Sequence, residues 1–80
     1  MTNNEKLRKL IEDVFLLDPI EFRFDLKRSE VETWDSFGVV SMAVGVQQTF
    51  GYHFTPEEAV SIHGVQDIIR ILTGKGIAFA

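Results

Sequence analysis

The chain has 80 residues, and we expect residues 1–80 to form one domain with a small core, because a chain of this length buries only about 60% of its unfolded surface. Its net charge of −4 argues against a nucleic-acid-binding protein, which would present a basic face. It lacks cysteine and has only two histidines, so we expect neither a disulfide nor a metal site. The N-terminus carries no apolar signal-peptide segment, and we expect a cytoplasmic location.

The first predicted element is an amphipathic helix. Five apolar residues at helical spacing define its buried stripe: Leu7, Leu10, Ile11, Val14 and Phe15. One of residues 2–4 can cap its start. Pro19 disfavours a helical conformation at Asp18, so the helix should end near residue 16 or 17.

A long connection follows, over residues 18–35. Phe22, Phe24 and Leu26 alternate with charged residues, as in a strand, but the chain offers no convincing partner strand. We therefore predict an extended loop whose apolar side chains lie on the helices. Residues 29–32 match the capping-box pattern S-x-x-E, which predicts one helical turn within the loop.

The second predicted helix begins near Ser36 and ends at Phe50, before Gly51. It contains no charged residue, and neither does the wider stretch between Asp35 and Glu57, but polar residues interrupt that stretch and we expect no membrane insertion. We predict core positions at Val40, Ala43, Val44, Val46 and Phe50. A polar or small-residue face, solvated or open to a partner, is predicted at Gly38, Ser41, Gly45 and Gln48. Glycine costs about 1 kcal/mol in a helix interior, so close packing or close approach by a partner should compensate at Gly38 and Gly45.

Two further helices are predicted, the third from its capping residues and the fourth from its apolar stripe. Thr55 as cap, Pro56 at the first helical position and Glu58 as capping partner predict a short helix that stops before Gly64. A second apolar stripe then predicts a longer helix, with Val65, Ile68, Ile69 and Leu72. The fold is therefore all-α, with three longer helices, one short helix and a long first loop. A four-helix layout can bury the apolar faces of all its helices within one chain, which predicts a monomer.

The functional interpretation depends mainly on Ser36. Asp35 or Ser36 can cap the second helix. A hydrolase nucleophile would require a base and an oxyanion site, and neither histidine lies in a recognisable motif, so we expect no catalytic residue and no enzymatic activity. The third possibility is covalent attachment of a phosphate-linked group, which the N-terminus of a helix favours.

Nearly the whole chain resembles an acyl carrier protein. The sequence WDSFG (residues 34–38) precedes an apolar helix, and GYHFTPEEA (residues 51–59) follows it, with the other elements in the order of that family. The resemblance implies a small antiparallel four-helix bundle. It also implies that Ser36 carries 4'-phosphopantetheine, added from coenzyme A by a phosphopantetheinyl transferase that recognises Asp35. Phe37 stands where the family usually has leucine, and the cargo would travel as a thioester.

The uncharged second helix distinguishes this chain from most members of that family, which dock through acidic residues there. We predict docking through an apolar surface with an acidic rim, formed by Phe37, Val40, Ser41, Val44, Glu57 and Glu58. This pattern favours a carrier for a specialised lipid or polyketide-type pathway, whose partners are acyl- or aminoacyl-loading ligase or synthase enzymes. DSFG is also similar to carriers loaded with D-alanine by an adenylating ligase. A helical interaction module without a prosthetic group is the alternative from another class.

Overall fold

The computed structural model describes residues 2–79, which are mostly helical and contain no strand. Four α-helices follow one another along the chain: α1 (Asn3–Phe15), α2 (Ser36–Phe50), α3 (Pro56–Ser61) and α4 (Val65–Gly74). Two single turns of 3-10 helix, Pro19–Glu21 and Arg28–Glu30, interrupt the connection between α1 and α2. The all-α class, with three longer helices and one short helix, is confirmed. The antiparallel arrangement of the whole bundle stays a prediction.

α1 forms where the apolar spacing predicts it. Thr2 caps its start by accepting the backbone N–H of Glu5, whose carboxylate in turn accepts the Thr2 N–H. The helix ends at Phe15, and Leu16 takes the left-handed conformation with a φ of 57°. Four of the five predicted stripe residues are buried and Val14 is partly buried.

α2 lies against α1 through two glycines. A Cβ at Gly38 would lie 2.7 Å from the Phe15 ring, and one at Gly45 would lie 3.1 Å from the Leu10 side chain. At these two glycines the close-packing alternative therefore holds, because the missing side chains let the backbones of two helices approach closely. Of the same predicted face, Gln48 is exposed and Ser41 is partly exposed.

The buried face of α2 also differs from the predicted one. Val39, Met42 and Val46 enter the core, whereas Val40 and Val44 are exposed. Of the predicted core residues, Val46 is fully buried and Ala43 and Phe50 are partly buried. Because nearly every position of this helix is apolar or small, its composition does not single out one face.

The loop before α2 closes one side of the core. Phe22 and Leu26 are buried, as the extended-loop interpretation predicted. The predicted helical turn is present but lies at Arg28–Glu30, with Glu30 accepting the backbone N–H of Lys27. An isolated antiparallel bridge joins Lys27 to Gly64, and so ties the loop to the segment between α3 and α4.

α3 begins at the predicted residue and ends before Gly64, and α4 contains the predicted apolar stripe. Thr55 and Glu58 form the capping box of α3, and Pro56 is its first residue. In α4, Val65, Ile68 and Leu72 are buried and Ile69 packs at the edge of the core. Within the described part of the chain, no helix combines the length and apolar character needed to cross a bilayer.

Candidate functional site

Ser36 is the first residue of α2 and is exposed to solvent. The cap of this helix is Asp35, whose side-chain oxygen accepts the backbone N–H of Gly38 at 2.8 Å. Among residues 2–79, no hydrogen-bond partner is found for the Ser36 hydroxyl. Asp35 therefore performs the capping that the sequence left open between the two residues, and the Ser36 hydroxyl remains available.

Packing against α1 fixes the position of this helix start. The Trp34 ring stacks on the Phe15 ring with a centroid distance of 4.5 Å, and only 3% of Trp34 is exposed. The Thr33 hydroxyl donates a hydrogen bond of 2.8 Å to the Phe15 carbonyl. Trp34 before Ser36 and Gly38 after it both pack against Phe15, so the exposed serine has a fixed position at the start of α2.

Positive and negative groups both lie near Ser36, where the carboxylate of Asp35 faces the start of α2. The start of an α-helix carries a partial positive charge, because its first N–H groups have no partner within the helix. The guanidinium of Arg28 adds a full charge nearby, since its Nε donates to the Trp34 carbonyl at 2.9 Å. Both positive groups therefore belong to the segment that leads into Ser36 and oppose the charge of Asp35.

Exposed apolar side chains lie on α2 beyond Ser36. Phe37 is 82% exposed, Val40 63% and Val44 49%, while Ser41 is partly exposed. Val60 on α3 is 71% exposed and is a docking candidate that the sequence did not reveal. The sequence carried only a weak signal for it. Adjacent residues point in different directions on a helix, so Ala59 and Val60 cannot both face the core.

The two predicted acidic rim residues differ in their bonding. Glu57 is exposed, whereas Glu58 accepts hydrogen bonds from the Tyr52 hydroxyl and from the Thr55 backbone N–H. The Tyr52 bond is the main cause that lowers the pKa of Glu58, and the same bond raises the pKa of Tyr52. Glu58 thus has a structural role in addition to any contact with a partner.

The geometry gives no support to a hydrolytic site. The His53 ring contacts the side chain of Gln47, so about three turns of α2, roughly 16 Å, separate it from Ser36. No hydrogen bond between the His63 ring and Ser36 is found in the part of the chain described. Residues 2–79 also contain no cluster of three or more side chains suited to hold a metal ion.

Comparison with known proteins finds one informative relative. The chain is 25% identical over 68 residues to a protein named acyl carrier protein from Coprothermobacter proteolyticus, which covers 85% of this chain and 83% of that protein. No family model matches, and no solved structure matches. This distant similarity suggests the acyl carrier protein family and supports a carrier role.

Proposed function

We propose that the chain is a discrete carrier protein that bears 4'-phosphopantetheine on Ser36 and has no enzymatic activity of its own. The observation that carries the proposal is the exposed, unbonded hydroxyl of Ser36 at the first position of a helix whose cap is supplied by Asp35. The distant relative named acyl carrier protein supports the same conclusion.

The residues around Ser36 fit the group. The hydroxyl is accessible to a second protein, and the start of α2 together with Arg28 offsets the negative charge of a phosphodiester. The group supplies a thiol that holds cargo as a thioester, which this cysteine-free chain cannot otherwise provide. Asp35 lies beside Ser36 as a recognition residue for the phosphopantetheinyl transferase.

The docking surface is mainly apolar. Phe37, Val40 and Val44 project from an α2 without charged residues, and Ser41 lies between them. Glu57 and Glu58 at the start of α3 form an acidic rim. A carrier with this surface suits dedicated loading ligases or synthases of a specialised lipid or polyketide-type pathway. We further propose that residues 1–80 act as one monomeric domain in the cytoplasm.

Intact-mass spectrometry tests the attachment. The purified chain is incubated with coenzyme A and a phosphopantetheinyl transferase of broad specificity. We expect one mass increase equal to a single phosphopantetheine group. Ser36→Ala should stay unmodified, while Ser61→Ala, which alters a serine on α3, should be modified as wild type. An unchanged mass with several transferases that modify a known carrier would instead support an interaction module without a prosthetic group.

The mass of the protein isolated from its own cell identifies the cargo. An amino acid released from the thioester would favour the aminoacyl carrier loaded by an adenylating ligase. A fatty or polyketide acid would favour the acyl carrier.

A further inference from the structure

A pocket with a basic lining lies beside the start of α2. Its lining residues are Lys27, Arg28, Ser29, Trp34 and His63. The bridge between Lys27 and Gly64 brings them together: the Arg28 backbone N–H donates to the His63 carbonyl at 2.7 Å. The lining thus includes two permanent cations and an imidazole but no carboxylate. We call this the Trp34 pocket.

Arg28 connects the Trp34 pocket to Ser36. Its Nε donates to the carbonyl of Trp34, and the peptide that contains this carbonyl leads directly to Asp35. The guanidinium is therefore held next to the residues that begin α2. Arg28 is partly buried, so its charge is less screened by solvent than that of a fully exposed side chain.

The Trp34 indole supplies an unused donor. Its Nε1–H is buried and finds no partner within residues 2–79. A buried donor without an acceptor destabilises the fold by roughly 1–3 kcal/mol, so such a group calls for an explanation. The stacking of the Trp34 ring on Phe15 explains why the indole is buried but not why its N–H is unpaired.

We propose that the Trp34 pocket binds the phosphopantetheine group carried by Ser36, with Arg28 and Lys27 facing its phosphodiester. The lining side chains shift on loading, so that the Trp34 N–H, which solvent does not reach in the unloaded chain, meets a carbonyl of the arm. This inference rests on the proposed function. A phosphodiester on Ser36 places a second negative charge next to the Asp35 carboxylate, and like charges at such short range repel. The basic lining offsets this repulsion, while the amide carbonyls of the arm provide acceptors for the unpaired indole.

NMR on the holo-protein tests the pocket directly. The chain is loaded from coenzyme A labelled in the pantetheine amides, and loading is verified by intact mass. Trp34 is the only tryptophan, so its indole N–H gives a single resolved signal. We expect that signal to shift on loading, and the arm amides to show restricted motion that high salt releases.

Matched variants identify the groups responsible. Arg28→Gln and Lys27→Gln should each lower the ratio of bound to free arm by roughly tenfold, since a hydrogen bond to a charged group is lost. Lys9→Gln removes the same charge as Lys27→Gln elsewhere on the surface and should leave the ratio unchanged. If loss of the Arg28 bond to Trp34 unfolds the first variant, Lys27→Gln, an exposed position, decides the question.

The outcomes separate the two proposals. A chain that cannot be loaded overturns both. A loaded chain whose indole signal stays at its unloaded position, or whose Lys27→Gln variant matches Lys9→Gln, overturns the Trp34 pocket and leaves the carrier function standing.

Discussion

Gly38→Ala should destabilise the packing that positions the start of α2. The new methyl group would lie 2.6 Å from the Thr33 carbonyl oxygen and 2.7 Å from a carbon of the Phe15 ring. The carbonyl belongs to the backbone that leads into Ser36, and the ring is stacked on Trp34, so neither can move without disturbing the start of α2.

The expected magnitude follows from two opposing effects. Alanine in place of glycine within a helix stabilises by about 1 kcal/mol. Forcing a methyl group into a closely packed contact destabilises by about 1–3 kcal/mol, and a backbone oxygen at this distance argues for the upper end. We expect a net loss of about 1–2 kcal/mol, which for a domain of this size lowers Tm by about 5–15 °C.

Gly45→Ala is the matched control, because it adds the same methyl group to the same helix. Its new Cβ would meet side-chain atoms of Leu10 alone, with Cγ and Cδ1 both at 3.1 Å, and no backbone atom, so a small shift of one side chain can relieve the contact. We expect its stability to lie within about 0.5 kcal/mol of wild type, since the helix gain offsets the strain. Thermal and urea unfolding followed by circular dichroism measure both variants. A Gly38→Ala protein as stable as Gly45→Ala would refute the packing argument.

The remaining predictions concern docking and pH. A cognate partner should bind with weak salt dependence, and Val44→Glu should weaken binding more than Glu57→Ala, because apolar burial dominates the interface. Titrations of the wild type and both variants at two salt concentrations measure this. A steep loss of affinity with salt, together with an unchanged affinity of Val44→Glu, would contradict the prediction. Tyr52→Phe should raise the pKa of Glu58 towards its ordinary value, as measured by NMR titration of the Glu58 carboxyl group. Since the folded pKa of Glu58 is lowered, its stabilising effect is present above the ordinary carboxyl pKa and is lost as the pH falls through the lowered value. Wild type should therefore lose stability relative to Tyr52→Phe in that acid range, and an unchanged pKa of Glu58 would show that the Tyr52 bond is unimportant.

The apolar stripes and the helix ends could be predicted from sequence because they depend on neighbouring residues. Thr55, Pro56 and Glu58 define the start of α3 through bonds within four residues, and the structure has that start. The stripe of α1 is equally local, since five apolar residues at helical spacing can face only one side. A helix start near Ser36 was predicted, with Asp35 or Ser36 as its cap, and α2 begins at Ser36.

The exposed face of α2 could not be predicted, because its apolar and small residues surround the helix. Only the close approach of α1 to Gly38 and Gly45 turns Val39, Met42 and Val46 inward and leaves Val40 and Val44 exposed.

The surroundings of Ser36 likewise depend on contacts between distant parts of the chain. The sequence determined that a serine and an aspartate begin an uncharged helix. The choice between Asp35 and Ser36 as cap stayed open in the sequence, although the bond from Gly38 to Asp35 is local. The tertiary structure brought Arg28 and His63 together with Trp34. The physical reason is that the bridge between Lys27 and Gly64 pairs two backbone segments that are far apart in the sequence. Gly64 permits the close approach, since a Cβ there would lie 2.9 Å from the Leu26 carbonyl oxygen, but a glycine does not specify which segment it meets.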